Sequence, residues 1–179
     1  MATVLYSAAA SLDGFIAGPG GDMSWLSEFV GDPDPTAERL LAGTGAILCG
    51  HRTFGGDDPN AGTDAEGAFG GRWEGPSIVL THHPPATSED PSVTWCTDLD
   101  DAVRAAKAAA GGRYVNVLGA DVARQCLHAG VLDEILVFIA PVLLGDGVRL
   151  FEHPGGTNVA LEPMPGRQAG PNGLWLRVR

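Results

Sequence analysis

The sequence contains few positively charged residues. Lys and Arg together number 11 against 22 Asp and Glu, which gives a formal net charge of -11. A surface of that sign repels nucleic-acid phosphates and anionic lipids, so we expect no nucleic acid and no membrane as a partner. A small polyanion is not excluded, because backbone N–H groups and one arginine can create a local positive site in an acidic protein.

Cysteine is also scarce. The three thiols, Cys49, Cys96 and Cys126, lie far apart and form no CxxC or Cys/His spacing of a zinc site. We therefore expect reduced, buried thiols and no metal. The sequence also contains no GxSxG, Walker or HExxH motif, so the enzyme classes that carry these motifs gain no support.

Long apolar runs are absent as well. No window holds the ~18 uninterrupted apolar residues of a membrane span, and no basic segment precedes the apolar stretch at 3–10, as a signal peptide requires. We expect a soluble, cytoplasmic protein. With 179 residues, 44% of them hydrophobic, the chain has the size and apolar content of one globular domain, residues 1–179.

Glycine and proline are abundant, at 26 and 13 residues, and they divide the chain into short elements. Apolar runs between them predict strands, and segments with acidic starts and glycine ends predict helices. Alternating strands and helices predict an α/β domain with a mostly parallel sheet and an antiparallel carboxyl-terminal strand. The strands are predicted at 3–10, 46–49, 77–80, 93–95, 114–118, 135–144 and 174–178, and the helices at 36–42, 99–110 and 121–129. Pro141 is expected to break or bulge the strand at 135–144.

Three further segments are less regular. Residues 15–17 are compatible with a continuation of the first strand. The glycine-rich residues 18–22 predict a loop, followed by Trp25, Leu26 and Phe29 on one helical face. Residues 55–76 are also rich in glycine and show no periodicity. We expect a long mobile loop there, and loops of that length are usually functional or disordered.

Three predicted strands end in residues that suit an anion. Gly50-His51-Arg52-Thr53 offers close backbone approach, a guanidinium, a hydroxyl and the N–H groups of a helix start. Thr81-His82-His83 and Gly119-Ala120 follow two other strands. The carboxyl ends of parallel strands meet at one sheet edge, where such sheets bind ligands. Each motif alone fits an ordinary helix start or turn, so the prediction of a phosphate site depends on their convergence.

Taken in order, four stretches resemble the dihydrofolate reductase-like superfamily, and most closely the reductase domain of the riboflavin-pathway deaminase/reductase and its stand-alone relatives. The stretches are SLDGFIAG, ILCGHRTF, IVLT and VNVLGADVARQCLHAGVLDEILVFIAPVLLGDGVRLF. They lie between residues 4 and 151, and the last one is the most specific. The resemblance implies a three-layer α/β/α fold with a mixed, mainly parallel sheet and antiparallel carboxyl-terminal strands. It also implies an NADPH cleft beside a pteridine-like or pyrimidine substrate.

The resemblance also assigns cofactor contacts, position by position. His51, Arg52 and Thr53, after Gly50, would hold NADPH phosphates, and Thr81 and His82 would lie near the adenosine 2′-phosphate. A turn under the pyrophosphate would use Gly119, Ala120, Asp121 and Val122, although Ala120 replaces a glycine that is frequent in the family. Ala10, Ile16 and Ala17 would border the nicotinamide, and the loop at 18–22 would cover it.

The position of the proton donor is less well defined. In dihydrofolate reductases a carboxylate at the start of the first helix helps to protonate the substrate, and counting back from Gly50 places Asp34 there, with Glu28 as a second candidate. Riboflavin-type reductases reduce a ribose aldehyde, for which Asp13 in the SLDG turn is the alternative. Hydride transfer chiefly requires donor and acceptor carbons held in contact in a dry pocket.

The leading hypothesis is therefore an NADPH-dependent reductase of riboflavin-pathway type, acting on a compound such as 5-amino-6-(5-phosphoribosylamino)uracil. A dihydrofolate or pterin reductase is the second hypothesis. A non-catalytic nucleotide-binding module is the third, which Ala120 and the undefined acid allow. The apolar segment AGVLDEILVFIAPVLLG suggests a homodimer, although a buried core strand explains it more simply.

Overall fold

The computed structural model describes the chain except residues 30–34, 57, 59, 65, 89, 157, 168 and 171. Its elements follow the alternation of strands and helices that the sequence predicts. In chain order they are β1 (Thr3–Ser11), β2 (Phe15–Ala17), two 3-10 helices (Pro19–Gly21 and Ser24–Glu28), α1 (Pro35–Gly43), β3 (Thr44–Gly50), α2 (His51–Gly55), β4 (Ser77–Leu80), β5 (Val93–Cys96), α3 (Leu99–Ala110), β6 (Tyr114–Leu118), α4 (Ala120–His128), β7 (Glu134–Ala140), β8 (Val148–Arg149), β9 (Leu161–Pro163) and β10 (Gly173–Val178).

Eight of these strands form one sheet in the order β5-β4-β3-β6-β1-β7-β10-β9. The six strands from β5 to β7 are mutually parallel, whereas β10 runs antiparallel to both β7 and β9. The predicted fold class, a mostly parallel α/β sheet with antiparallel carboxyl-terminal strands, is confirmed. β2 and β8 pair separately as a small antiparallel sheet.

Each face of the large sheet has its own apolar cover. On one face, Val4 and Leu48 pack with Ala106 of α3 and Cys126 of α4. The other face is called the α1 face here, because Leu5 packs there against Leu40 of α1. Alternation along a strand places every second residue on that face. The helices thus lie on both sides of the sheet, as a three-layer fold requires.

The helix termini follow local rules that the sequence reveals. The Asp98 carboxylate accepts hydrogen bonds from the N–H groups of Asp100 and Asp101, at 2.9 and 3.1 Å, and so caps α3. Gly111, just after that helix, has a φ of +59°, the left-handed conformation that ends helices and favours glycine. These signals explain why the predicted span 99–110 coincides with the observed helix.

The strand predicted at 135–144 ends at Ala140, so the expected break at Pro141 is confirmed and residues 142–144 are not part of the strand. Pro141 has no N–H to continue the ladder, and the Val142 N–H instead donates to the Ala140 carbonyl at 2.8 Å. Residues 15–17 do not continue β1. Gly14 turns the chain with a φ of +86°, and β2 then pairs with β8.

The expectation of buried thiols is confirmed for two cysteines, whereas Cys96 is only partly buried. All three cysteines are free, with Cys49 and Cys126 buried. Burial raises the pKa of each of these two thiols to about 12, so both stay protonated and unreactive at neutral pH. Within the described residues, no group of three His, Cys, Asp or Glu side chains is placed to hold a metal ion, and no helix is long and apolar enough to cross a membrane.

Candidate functional site

The predicted anion-binding residues meet at one edge of the sheet. Gly50, at the end of β3, is in register with Leu80, at the end of β4, and its neighbour Cys49 is in register with Leu118, at the end of β6. Because these strands are parallel, the residues that follow them emerge at the same edge. The structure thus brings together the three groups: Gly50 to Thr53, Thr81 with His82, and Gly119 to Val122.

Two glycines allow the starts of α2 and α4 to approach each other. A Cβ placed on Gly119 would lie 2.4 Å from the Thr53 hydroxyl oxygen, and Gly119 has a φ of +92°. A Cβ on Gly50 would lie 3.4 Å from a methyl carbon of Val122. The Thr53 hydroxyl therefore rests directly on the Gly119 backbone. This close contact requires glycine at position 119 for both space and conformation.

No side chain in the described part of the chain caps α4, whose N-cap is Gly119. The first-turn N–H groups of a helix carry partial positive charge and lack intrahelical acceptors. Gly119, at the start of this turn, is also the residue that the Thr53 hydroxyl contacts. Uncapped N–H groups, a hydroxyl and a nearby guanidinium together suit phosphate oxygens, and the tight Gly119 contact keeps side chains out of the way.

The charges around α4 are already partly paired. Asp121 accepts hydrogen bonds from Arg124 at 2.5 Å and from Gln125 at 2.8 Å. Partial burial on its own would raise the pKa of Asp121, but these bonds and the charges of Arg124 and Arg52 outweigh it and hold the pKa below its usual value. Asp121 itself presents a paired carboxylate, so what it can offer a phosphate is its backbone N–H.

Aromatic rings extend the site beyond α2. The Trp95 ring of β5 lies 6.1 Å from the His51 ring and 5.4 Å from the Phe54 ring, the latter in an edge-to-face arrangement. A shallow hollow of about 180 Å³ opens beside them. Its lining consists of Phe54, Pro85, Thr87, Ser88, Asp90, Val93 and Trp95. The sequence analysis missed this hollow, because the pattern around Trp95 does not indicate which loop packs against its ring.

Thr81 and His82 differ in their availability. Thr81 is buried, and its hydroxyl accepts a hydrogen bond from the His83 N–H at 3.2 Å. His82 is exposed at the end of β4. The pair therefore stands at the predicted edge, with the histidine ring directed to solvent.

The predicted nicotinamide border is fixed by a segment that sequence reasoning missed. Ala10 and Ala17 are buried and Ile16 is partly buried. A Cβ on Gly147 would lie 2.1 Å from the Ala17 carbonyl oxygen, so the β8 segment presses directly on β2. The pairing of Phe15 with Arg149, whose guanidinium carbon lies 4.7 Å above the Phe15 ring, holds the other end of β2.

Asp13 is held by its own chain. Its carboxylate accepts hydrogen bonds from the Ser11 hydroxyl at 2.5 Å and from the N–H groups of Leu144 and Gly145, at 3.1 and 2.7 Å. These bonds, that of Ser11 above all, lower the pKa of Asp13. The ionised carboxylate accepts three hydrogen bonds and stabilises the turn after β1. In this state it carries no proton that it could donate to a substrate. Its catalytic role stays a prediction.

Asp34, the other predicted acid, lies outside the described residues. Glu28 closes the second 3-10 helix, the local structure adopted by the predicted helical face of Trp25, Leu26 and Phe29. The structure shows where the described site residues lie, but position alone does not show what a residue does. The roles of the predicted site residues therefore remain predictions.

The fold and this edge together define a class. A parallel sheet with antiparallel carboxyl-terminal strands, and glycine turns after its central strands, is the α/β architecture of dihydrofolate reductase-like domains. The sequence profile of the RibD C-terminal domain matches residues 2–172. The chain therefore belongs to the RibD C-terminal domain family.

Individual relatives agree with this assignment. A crystal structure of a protein from Shewanella sp. PV-4 assigned to riboflavin biosynthesis is similar over 100% of this chain and 98% of its own, with a TM-score of 0.66 and 22% identity. The deaminase and 5-amino-6-(5-phosphoribosylamino)uracil reductase of Thermotoga maritima is similar over 99% of this chain and 56% of its own, with a TM-score of 0.64 and 16% identity. The uncharacterized protein YwjB of Bacillus subtilis is 26% identical over 150 residues, which cover 83% of this chain and 82% of YwjB.

Proposed function

We propose that the chain is an NADPH-dependent reductase that transfers a hydride to a small heterocyclic substrate of the riboflavin pathway, of the 5-amino-6-(5-phosphoribosylamino)uracil type. The observation that carries this proposal is the contact of Thr53 with Gly119 beside Arg52, at the sheet edge of an acidic chain with a net charge of -11. Membership of the RibD C-terminal domain family supports it. A cytoplasmic location is part of the same proposal.

In this proposal the residues divide the work along the edge. His51, Arg52 and Thr53 bind phosphate oxygens with the uncapped N–H groups of Gly119 to Val122, while Thr81 and His82 meet the adenosine 2′-phosphate. Ala10, Ile16 and Ala17 form a dry border for the nicotinamide, from which bound NADPH supplies the hydride. Buried apolar walls exclude water and hold the reacting carbons in contact, which is the main requirement of hydride transfer.

Cofactor binding is tested by titrating NADPH into the purified protein and following nicotinamide fluorescence. We expect saturation at micromolar NADPH. A linear response without saturation would reject the proposal at its first step. NADH in a parallel titration is expected to bind more weakly, because it lacks the phosphate that His82 and Thr81 are proposed to meet.

Turnover is tested by the loss of NADPH absorbance with 5-amino-6-(5-phosphoribosylamino)uracil, with dihydrofolate as the comparison substrate. We expect oxidation of NADPH with the uracil compound. A methotrexate-sensitive rate with dihydrofolate, and no rate with the uracil compound, would favour a dihydrofolate or pterin reductase instead. NADPH binding without oxidation by either substrate would favour the non-catalytic nucleotide-binding module.

A further inference from the structure

The amide of Asn116 is buried in the middle of the sheet with one end unused. Asn116 is fully buried on β6, and its side-chain oxygen accepts a hydrogen bond from the Ser7 hydroxyl at 2.8 Å. Its nitrogen Nδ2 has no hydrogen-bond partner among the residues the structure describes. A hydroxyl can donate or accept, so one end of the amide lacks a partner in either orientation. Buried polar groups are rarely left in this state, which calls for an explanation.

A second unused donor lies on the same face of the sheet. The indole nitrogen of Trp73 is buried and, within the described part of the chain, has no acceptor. Trp73 packs against a cluster that includes Ile47. Ile47 is the cross-strand partner of Asn116, and cross-strand partners point to the same face. Both donors therefore face the layer between the sheet and the loop that carries Trp73.

This layer adjoins the cofactor edge. Leu118 belongs to the cluster around Trp73 and is the residue before Gly119. Ser7 lies three residues before Ala10, at the predicted nicotinamide border, on the neighbouring strand β1. A substrate that receives a hydride at that border must occupy one of the surfaces beside it. Ala10 itself packs with the cluster on the opposite face, so the α1 face meets this border at the carboxyl edge of β1. Within the described residues, the two unpaired donors, Trp73 Nε1 and Asn116 Nδ2, lie on the α1 face.

Residues 66–75, the second half of the glycine-rich loop, cover this surface and are called the covering segment here. The rings of Phe69 and Trp73 lie 6.1 Å apart at 44°. Phe69 adopts a left-handed φ of +57°, which is unfavourable for an aromatic residue. The segment is tied to α1 by the ion pair of Arg72 with Glu38, 2.8 Å long and half exposed, and such pairs hold weakly. Two aromatic rings are thus mounted on a segment with strained backbone and a weak attachment.

We propose that the covering segment and the α1 face form the substrate-recognition site, in which Trp73 Nε1 and the Asn116–Ser7 pair bind the polar edge of a planar ring. The fitting ligand presents two acceptors on one ring edge, such as a pair of carbonyl oxygens, since both unpaired groups of the site are donors, the indole Nε1 and the amide Nδ2. The rings of Phe69 and Trp73 provide the stacking surface. The ligand enters as the segment moves off the sheet. This inference rests on the proposed function in taking that ligand to be the reductase substrate.

Trp73→Phe tests the indole donor, because it keeps an aromatic ring and removes the N–H together with the pyrrole part of the indole. We expect the KM for 5-amino-6-(5-phosphoribosylamino)uracil to rise about tenfold, the effect of one hydrogen bond, with NADPH affinity unchanged. The melting temperature should fall less than in the matched control below, because both variants lose the same ring volume and the Trp73 donor has no partner among the described residues. Trp175→Phe is the matched control. The Trp175 indole donates to Glu134 at 2.8 Å, so this variant should melt earlier and keep its KM.

The double variant Ser7→Ala with Asn116→Leu tests the amide pair by removing both partners together. We expect a raised KM and an unchanged or higher melting temperature. A structural role for either group predicts the reverse, a lower melting temperature with an unchanged KM. That result in both variants, or an equal loss of NADPH affinity, would overturn the inference.

A binding measurement without cofactor separates this inference from the proposed function. The probe is 5,6-diaminouracil, followed by quenching of tryptophan fluorescence. Quenching in the natural chain that disappears in Trp73→Phe and persists in Trp175→Phe supports the site even if NADPH is never oxidised. If the natural chain turns over the phosphoribosyl substrate and neither Trp73→Phe nor the double variant changes its kinetics, the recognition site is rejected. The proposed reductase function is then unaffected.

Discussion

At Gly119 the missing side chain is what shapes the site. With a φ of +92° and the Thr53 hydroxyl oxygen 2.4 Å from the place of a Cβ, any larger residue meets both strain and a clash. We expect Gly119→Ala to lose ~1–3 kcal/mol of unfolding free energy from backbone strain. The displaced Thr53 should add to that loss and weaken NADPH binding. Urea denaturation and the nicotinamide titration measure the two effects.

The control for this variant is Gly130→Ala. Gly130 also has a positive φ, +67°, but a Cβ there would meet nothing within 4 Å. We expect a loss of ~1–2 kcal/mol from the left-handed backbone alone, with NADPH affinity unchanged. Equal effects of both substitutions on NADPH affinity would contradict the importance of the Thr53 contact.

Arg52 supplies the positive side-chain charge of the proposed phosphate site. It is exposed at the start of α2, and its charge contributes to the lowered pKa of Asp121. We expect Arg52→Ala to weaken NADPH binding by roughly 10- to 100-fold, the range for a charge-assisted hydrogen bond of ~1.5–3 kcal/mol. Arg104→Ala, on the exposed side of α3 in a surface pair with Asp101, should leave the affinity unchanged.

The comparison of the two cofactors locates the arginine. If Arg52 meets the 2′-phosphate, Arg52→Ala reduces NADPH affinity far more than NADH affinity. A parallel loss for NADPH and NADH would assign Arg52 to the pyrophosphate shared by both cofactors.

Among the elements, the turn after β1 depends on the segment after β7. Asp13 joins them, and its partners Leu144 and Gly145 lie more than 130 positions away in the chain. The pKa of Asp13 is depressed in the folded protein, first by the Ser11 hydroxyl, so the unfolded chain binds the proton more readily. The stabilisation by Asp13 is therefore present at neutral pH and disappears as the pH falls through the folded pKa.

We expect Asp13→Asn to be less stable than the natural chain at pH 7, because the carboxylate that accepts three hydrogen bonds is lost. The difference should shrink as the pH is lowered through the acidic range, where the natural carboxyl becomes protonated. Urea denaturation across that range measures it. A difference that stays constant with pH would assign the effect to packing and not to the ionised carboxylate.

The elements also show how far local rules reach. Helix α3 could be predicted to its bounds, because Asp98 at its start and Gly111 after its end act within one turn of the chain. β2 was misjudged, since its partner Arg149 lies far along the sequence and its two-stranded pairing leaves no local pattern. Pairings that depend on distant, very short segments are not encoded in periodicity.

At the scale of the whole molecule, the homodimer remains a prediction. The apolar segment that suggested a homodimer contains β7. This strand lies between β1 and β10 and is largely buried in the chain's own sheet, which agrees with its interpretation as a core strand. A dimer must therefore use other residues, such as the exposed Leu161 and Leu174 at the antiparallel end of the sheet. Light scattering should give twice the chain mass of 18.5 kDa. A mass equal to one chain would reject the homodimer.

The sequence by itself determined the number and order of the main strands, the α/β class, the glycine turns after β3 and β6, and the inert character of the thiols. These properties follow from burial periodicity and from the conformations of glycine, proline and capping residues, which act locally. Only the tertiary structure decided that Thr53 rests on Gly119, that Asp13 is held by Leu144 and Gly145, and that Asn116 and Trp73 share one face of the sheet. Such contacts arise where the chain returns to the same place after many residues, and no spacing along the sequence records that return.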